Sequence, residues 1–137
     1  MKKLIIVIFL FIFFNHNPSI ANVIDKIEAD RQICLNTNYS SDYTMAKCNY
    51  EAIEKCDVKI NKLLKKINKN IDKNNQLSLS ASQLKWEEFV NQDNILLENL
   101  LEKDIHFEPY LVSSEIKYQN KKYRLEELLI LYSSLKH

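Results

Sequence analysis

The stretch MAKCNYEAIEKCDVKINKLLKKINKNI, residues 45–71, carries the clearest structural pattern in the chain. Its apolar residues recur at steps of three and four, which is the period of one face of an α-helix. They are Met45, Cys48, Ala52, Ile53, Cys56, Ile60, Leu63, Leu64, Ile67 and Ile71. We therefore predict a long helix over this stretch. Its opposite, lysine-rich face is interpreted as solvated surface, because the acids scattered through it weaken the alternative of a membrane-binding face.

The residues before this helix predict a shorter helix and a turn. The apolar residues of 22–33 lie near helical spacing, which favours a short opening helix with Cys34 at its end. Residues 36–42 are rich in Asn, Ser, Thr and Asp, whose side chains bond to nearby backbone and favour turns and helix starts. Asp42 or Thr44 is expected to cap the long helix.

The residues after the long helix predict a helical hairpin. Residues 68–80 interrupt the apolar pattern with four asparagines, which indicates a loop, and Ser80 and Gln83 have the spacing of a capping box. A second helix is predicted to follow and to end near Asp104. Its apolar residues are Leu84, Trp86, Phe89, Val90, Ile95, Leu96, Leu97, Leu100 and Leu101. Two long helices with a polar connection predict an antiparallel pair.

The C-terminal third predicts one more helix. Residues 106–114 contain Pro109 and are expected to break helical structure, and 115–118 are either an extended piece or the first turn of the last helix. Helical spacing returns over 121–135. Its apolar side is expected to carry Tyr123, Leu128, Leu129, Tyr132 and Leu135. The predicted fold is all-α, a small helical hairpin or bundle of three main helices plus a short N-terminal helix.

The first 21 residues have the three parts of a secretory signal peptide. Two lysines precede the apolar run 4–14, which is too short to span a bilayer as a helix because that takes about 20 residues. Ser19 and Ala21 supply the small residues expected before a cleavage site. We predict cleavage after Ala21, with an uncleaved anchor as the alternative. The expected product is a single secreted helical domain, residues 22–137, with no membrane attachment.

The composition excludes several classes of function. The 137 residues contain no glycine, whereas phosphate-binding loops, dinucleotide-binding turns, nucleophile elbows and EF-hand loops all depend on it. The formal net charge of +1 lacks the basic excess of a nucleic-acid-binding surface. Neither a cofactor nor a nucleic-acid partner is therefore expected.

No catalytic or metal-binding constellation is found in the sequence. After signal cleavage the histidines are His106 and His137, and neither belongs to a metal-ligand motif. Cys56 lies on the apolar stripe of the long helix and is interpreted as a buried small hydrophobe rather than a nucleophile. We therefore expect a protein that is not an enzyme. Trp86 and Phe89, three residues apart, are interpreted as an anchor of the helix core, with a partner-binding site as the alternative.

Several short motifs follow one another in a recognisable order. They are Cys34, Met45-x-x-Cys48, Asp57-x-x-Ile60-Asn61, Ser82-Gln83-x-x-Trp86-x-x-Phe89 and Arg124-Leu-Glu-Glu-Leu128. Together they resemble the DUF1311 family, also called the lysozyme inhibitor LprI N-terminal domain family. The resemblance covers residues 34–93 and, more loosely, 121–135. It implies a secreted helical protein that binds and inhibits a cell-wall-degrading enzyme such as lysozyme.

The resemblance also implies that Cys34 pairs with Cys48. The rival pair Cys48 and Cys56 would lie about 12 Å apart along one continuous helix, too far for a disulfide, which agrees with the family pairing. Cys56 is then left over, and an intermolecular disulfide through it would make a homodimer. The chain departs from the family at Val90 and Asn91, where the family has Arg-Asp.

The binding surface expected for a basic lysozyme is the most acidic stretch of the chain. Its predicted partner-binding residues are Glu87, Glu88, Asp93, Glu98 and Glu102, with Asp104 and Glu108 beyond them. A solvated helix face explains these acids about as well. Two other functions stay open: a non-catalytic interaction or structural module of the periplasm, and an immunity protein for a periplasmic toxin.

Overall fold

The computed structural model describes residues 18–102 and 109–136, which form four helices. They are α1 (Pro18–Thr37), α2 (Asp42–Lys69), α3 (Lys73–Leu101) and α4 (Pro109–Ser134). The described ranges contain no strand. The prediction of an all-α fold with three long helices and a shorter first one is therefore confirmed. The signal peptide and the domain boundary after Ala21 stay predictions, because residues 1–17 lie outside the described ranges.

Helix α2 begins and ends on polar side chains, as a chain without glycine requires. Its N-cap is Ser41, whose hydroxyl accepts a hydrogen bond from the backbone N–H of Thr44 at 3.2 Å. The predicted caps Asp42 and Thr44 are therefore wrong, since both lie inside the helix. At the other end, Asn70 donates from its backbone N–H to the carbonyl of Ile67. No described residue has a positive φ angle, so the helix ends without a left-handed residue.

The predicted loop over 68–80 is wrong, because only three residues separate α2 from α3. Asp72 caps α3, with its carboxylate accepting from the backbone N–H of Asn75 at 3.0 Å. The amide of Gln76 donates back to the carbonyls of Asn68 and Ile71, which closes the turn. Ser80 therefore lies in the second turn of α3, and its predicted capping box does not form. The first turns of α3 are largely exposed to solvent, so polar residues can form this part of the helix.

The break predicted over residues 106–114 is wrong from Pro109 onward. Proline is the first residue of α4, where its fixed φ angle suits a helix and its missing N–H costs no hydrogen bond. Of the two alternatives for 115–118, the helical one is correct, although these residues lie well inside α4. Residues 103–108, which include His106 and the acids Asp104 and Glu108, lie outside the described ranges.

The core forms between α2 and α4, which run parallel to each other. Asn49 contacts Ser114 near the start of both helices, and Lys66 contacts Tyr132 near the end of both. Helix α1 packs across both, and α3 packs mainly on α4. The prediction that α2 and α3 pack closely on each other as a hairpin is therefore wrong. The apolar face of α2 is covered by α1 and α4 instead, and an open groove of about 470 Å³ lies between α2 and α3.

The buried residues of α2 lie on the predicted apolar stripe, whereas those of α4 differ in part from the predicted apolar side of the last helix. The core cluster contains Ala52, Cys56, Ile60, Leu63 and Ile67 from α2, together with Tyr118, Leu125, Leu128 and Leu129 from α4 and Ile24 and Ile27 from α1. Each large apolar side chain buried here contributes roughly 1.5–3 kcal/mol. On α4, Tyr123 is exposed rather than buried, because the inward face is set by Tyr118 and Leu125, seven residues apart.

A disulfide joins Cys34 near the end of α1 to Cys48 in α2, with the two Cα atoms 5.7 Å apart. The pairing that the family resemblance implied is therefore confirmed. Because Cys48 is almost fully buried, the bond fixes the end of α1 against the core rather than bridging two mobile surface segments.

Candidate functional site

Three of the motif residues that carried the family resemblance, Gln83, Trp86 and Arg124, meet where α3 packs on α4. The guanidinium of Arg124 donates two hydrogen bonds to the side-chain carbonyl of Gln83, at 2.9 and 3.0 Å, and lies 5.6 Å from the ring centre of Trp86. Lys121 lies 5.3 Å from the same ring and pairs with Asp57 of α2 at 2.7 Å. The motifs therefore hold α3 on the bundle, and Trp86 has the anchoring role that its spacing favoured.

The five predicted acidic residues do not all share one side of α3. At about 100° per residue, Glu87, Glu98 and Glu102 fall within about 60° of one another and Glu88 within about 100° of Glu87, whereas Asp93 falls on another side. Asp93 is also half-buried, while the four glutamates are exposed. Lys85 pairs with Glu88 at 2.7 Å and Lys117 pairs with Glu98 at 2.8 Å. The structure thus brings four of the five acids together.

Exposed leucine and isoleucine side chains lie among these glutamates. Leu77, Leu84 and Ile95 fall within the same arc of about 100° and are 61, 66 and 46% exposed. We call this arc the α3 surface; it consists of Leu77, Leu84, Ile95, Glu87, Glu88, Glu98 and Glu102. Leu84 and Ile95 belong to the apolar residues of the predicted second helix, and both are exposed rather than buried. Val90 is the one buried residue in the whole of α3.

A second row of exposed apolar side chains lies elsewhere on α3. Phe89, Leu96 and Leu100 are 62, 56 and 57% exposed and fall about 100–160° from the apolar residues of the α3 surface. The prediction that Phe89 anchors the core together with Trp86 is therefore wrong for Phe89. Apolar side chains are therefore exposed on two sides of α3.

A pocket of about 300 Å³ lies at the C-terminal end of the α3 surface, which we call the tyrosine pocket. Its walls come from α2, α3 and α4 and include Tyr50, Glu98, Leu101, Glu102, Tyr110 and Lys117. The ring of Tyr110 lies 6.4 Å from the ring of Tyr50 and 6.3 Å from that of Tyr43, centre to centre. No local motif of the sequence connects Tyr110 with the acidic stretch of α3.

A buried polar network holds α1, α2 and α4 together around Arg31, which is only 7% exposed. Its guanidinium donates to Asn49 at 2.7 Å, to Glu28 at 2.8 Å and to Glu115. Its Cζ atom lies 4.5 Å from the ring centre of Tyr118. Three helices thus meet on one cation. This network has no local sequence signal, because its acceptors lie on three different helices.

Glu28 has a strongly lowered pKa in this network. Burial by itself raises the pKa, but hydrogen bonds from Tyr118 and Gln32 and the nearby Arg31 outweigh it, and the pKa falls from 4.5 to about 2. The Tyr118 hydroxyl donates to Glu28 at 2.5 Å. Burial and this bond to a carboxylate raise the pKa of Tyr118 above its usual range. At neutral pH, Tyr118 is therefore the neutral donor and Glu28 the ionised acceptor of this hydrogen bond.

This pKa predicts acid sensitivity. Because the folded pKa of Glu28 is below its unfolded value, its contribution to stability is complete above about pH 4.5 and is lost as the pH falls toward 2. The melting temperature of the wild type should fall through this window. Glu28→Gln should be less stable at pH 7 and change less between pH 5 and 2, whereas Glu88→Gln, an exposed control, should follow the wild type. A wild-type fall that persists unchanged in Glu28→Gln would contradict the assignment.

Cys56 is buried in the core and 1% exposed, as its place on the apolar stripe predicted. Burial first, and the neighbouring Asp57 second, raise the pKa of its thiol to about 11, so the reactive thiolate is disfavoured. Since the sulfur lies inside the bundle, a second chain cannot reach it while the fold is intact. The expected Cys56-linked homodimer is therefore not supported by the structure.

Among the described residues, no group of three or more His, Cys, Asp or Glu side chains could hold a metal ion. In the same part of the chain, no helix has the length and apolar character needed to cross a membrane. Exposed features of the described residues include the groove, the α3 surface, the tyrosine pocket, and the apolar row of Phe89, Leu96 and Leu100.

The described residues form a small helical bundle with one disulfide, which places the chain in the class of small disulfide-bonded helical proteins. Residues 34–128 match the family model described as "Lysozyme inhibitor LprI", and the chain belongs to this family. No curated protein and no solved structure matches the chain.

Proposed function

We propose that this protein is a secreted or periplasmic inhibitor of lysozyme or of another cell-wall hydrolase, and that it binds through the α3 surface. Membership of the LprI family supports an inhibitor. Members of this family are typically extracytoplasmic, which agrees with the signal peptide expected over residues 1–21. On this proposal the chain itself catalyses nothing and acts by occupying its target.

The single observation that carries the choice of surface is the mixture of glutamate and exposed leucine and isoleucine in one arc of α3. Lysozymes are basic, so an acidic surface speeds their encounter and excludes wrong partners. Leu84 and Ile95 add apolar area that loses water on binding. The arc runs from Glu87, which also lines the α2–α3 groove, to Glu98 and Glu102 at the tyrosine pocket.

An interaction module of the periplasm is the second candidate function. The observation that favours it is the second apolar row, formed by Phe89, Leu96 and Leu100, which lies outside the acidic arc. A module that assembles with an apolar partner would use this row in preference to the glutamates. The two functions can therefore be separated by variants of the same helix.

The test is inhibition of c-type lysozyme by the purified, oxidised domain, residues 22–137. We expect stoichiometric inhibition that weakens with added salt, because screening shortens the reach of the glutamates. Glu87→Lys combined with Glu88→Lys should weaken inhibition about tenfold. The control pair Asp25→Lys and Glu54→Lys makes the same change of charge at exposed acids of α1 and α2, and should have little effect.

Two further variants test the apolar part of the surface. Leu84→Ser with Ile95→Ser should weaken inhibition, whereas Phe89→Ser with Leu96→Ser should not, although both pairs have similar exposure. The reverse pattern would move the contact to the second row. An absence of inhibition at micromolar excess would contradict the inhibitor function and direct the search to a partner of the second row.

A further inference from the structure

The tyrosine pocket combines aromatic rings with carboxylates at one end of the bundle. Tyr43 and Tyr110 are 70 and 60% exposed although their rings lie only 6.3 Å apart. Exposed, clustered tyrosines are typical of the centre of protein–protein interfaces, since they supply large contact area at a small entropic cost. The pocket beside them is large enough for one side chain of a partner and is continuous with the α3 surface.

The charges of the pocket favour a cation. Glu98 and Glu102 both line it, and Lys117 pairs with Glu98 at 2.8 Å. The described charged groups of the pocket therefore sum to one negative charge. A planar cation that stacks on a tyrosine ring and donates to a carboxylate satisfies both kinds of wall at once, and a guanidinium is the side-chain group with this shape.

The protein already contains this combination in its interior. The guanidinium of Arg31 lies 4.5 Å from the ring centre of Tyr118 and donates to the carboxylates of Glu28 and Glu115. The tyrosine pocket repeats the ring and the two carboxylates, but no described arginine lines it. The interior site shows that a tyrosine ring and two carboxylates hold a guanidinium in this protein, and the pocket offers the same kinds of groups.

We propose that the tyrosine pocket binds the guanidinium group of an arginine on the protein that this chain inhibits. The inference rests on the proposed function for the identity of the partner, but not for the chemistry of the pocket. The guanidinium stacks on Tyr110 and donates to Glu102, while Glu98 remains paired with Lys117. The pocket then fixes the orientation of a basic target that the α3 surface attracts.

The chemistry is tested first without the target. N-acetyl-arginine amide is titrated into the oxidised domain, and the amide chemical shifts of the residues around the pocket are followed by NMR. We expect saturable shifts at these residues, and none with N-acetyl-citrulline amide, which has the same shape without the charge. Tyr110→Leu and Glu102→Gln should each abolish the shifts. The controls Tyr123→Leu, which has the same exposure as Tyr110, and Glu126→Gln should retain them.

The same variants are then compared in the inhibition assay, where Tyr110→Leu should weaken inhibition about tenfold and Tyr123→Leu should not. Arginine shifts that survive Tyr110→Leu, or equal binding of citrulline, would overturn the pocket as a guanidinium site. Binding of a chito-oligosaccharide in place of arginine would also overturn it. Undiminished inhibition by Tyr110→Leu would overturn the pocket's role while leaving the inhibitor function, and arginine binding without any inhibition would overturn the inhibitor function alone.

Discussion

Replacement of Arg31 by alanine is expected to lower the free energy of unfolding by about 3 kcal/mol. The change removes the shared donor of the network and leaves the side chains of Asn49, Glu28 and Glu115 without their common partner. Breaking a buried ion pair costs more than the pair contributes, because the remaining charges stay desolvated. The two carboxylates still reach solvent at their edges, which keeps the loss at the lower end of the usual range. Urea unfolding followed by circular dichroism measures it.

The chain offers a matched control for this variant. Lys55 pairs with Asp30 at 2.8 Å between the same helices, α1 and α2, but both side chains are more than 40% exposed. Lys55→Ala should therefore cost less than about 1 kcal/mol. Arg31→Lys should lie between the two, since lysine keeps the charge but loses the fork that reaches three acceptors. Equal losses in Arg31→Ala and Lys55→Ala would mean that burial adds nothing to this network.

The helices that could be predicted from sequence are those whose signal is local. The stripe of α2 stands out because its apolar residues face a continuous core, and all of Ala52, Ile60 and Ile67 are buried as expected. The start of α3 was missed for a local reason too. Its first turns are polar and exposed, so their sequence resembles that of a loop. In the structure Asp72 is the N-cap of the helix and accepts a hydrogen bond from the backbone N–H of Asn75.

The pairing of helices could not be predicted from the same signals. Adjacent helices with a short connection favour a hairpin, yet α2 packs along α4 because Tyr118 and Leu125 complete its core. That choice depends on contacts between residues more than 60 positions apart, such as Asn49 with Ser114. Hydrophobic periodicity gives the face that a helix buries and carries no information about which helix covers it.

The acidic character of the α3 surface could be predicted from sequence, but the arrangement of its side chains could not. The acids of the chain between Glu87 and Glu102 were identified from composition, and the structure separates Asp93 from the rest by the geometry of the helix. From sequence, the exposed Leu84 and Ile95 could not be distinguished from core residues. Nothing in the sequence of α3 indicates that no other helix covers the side on which they lie. The tyrosine pocket needs three helices and has no local signal.

Removal of the disulfide is expected to destabilise the domain by about 3 kcal/mol. The bond joins two cysteines with a sequence separation of 14 and thereby restricts the conformations of the unfolded chain. Cys34→Ala combined with Cys48→Ala is the suitable variant, because alanine leaves no hydroxyl at the almost fully buried position 48. The loss should appear in urea unfolding of the variant under oxidising conditions. Dithiothreitol should lower the stability of the wild type by a similar amount and leave that of the variant unchanged.

The free cysteine supplies the control. Cys56→Ala also removes a buried sulfur but opens no loop, so it should cost only about 1 kcal/mol. Arg31 lies about one helical turn before Cys34, so the network and the disulfide hold the same end of α1 against α2. Once the disulfide is gone, α1 can detach locally, and adding Arg31→Ala should then cost less than it does in the oxidised protein. Strictly additive losses would contradict this coupling and mean that α1 stays docked through its apolar contacts, Ile24 and Ile27, alone.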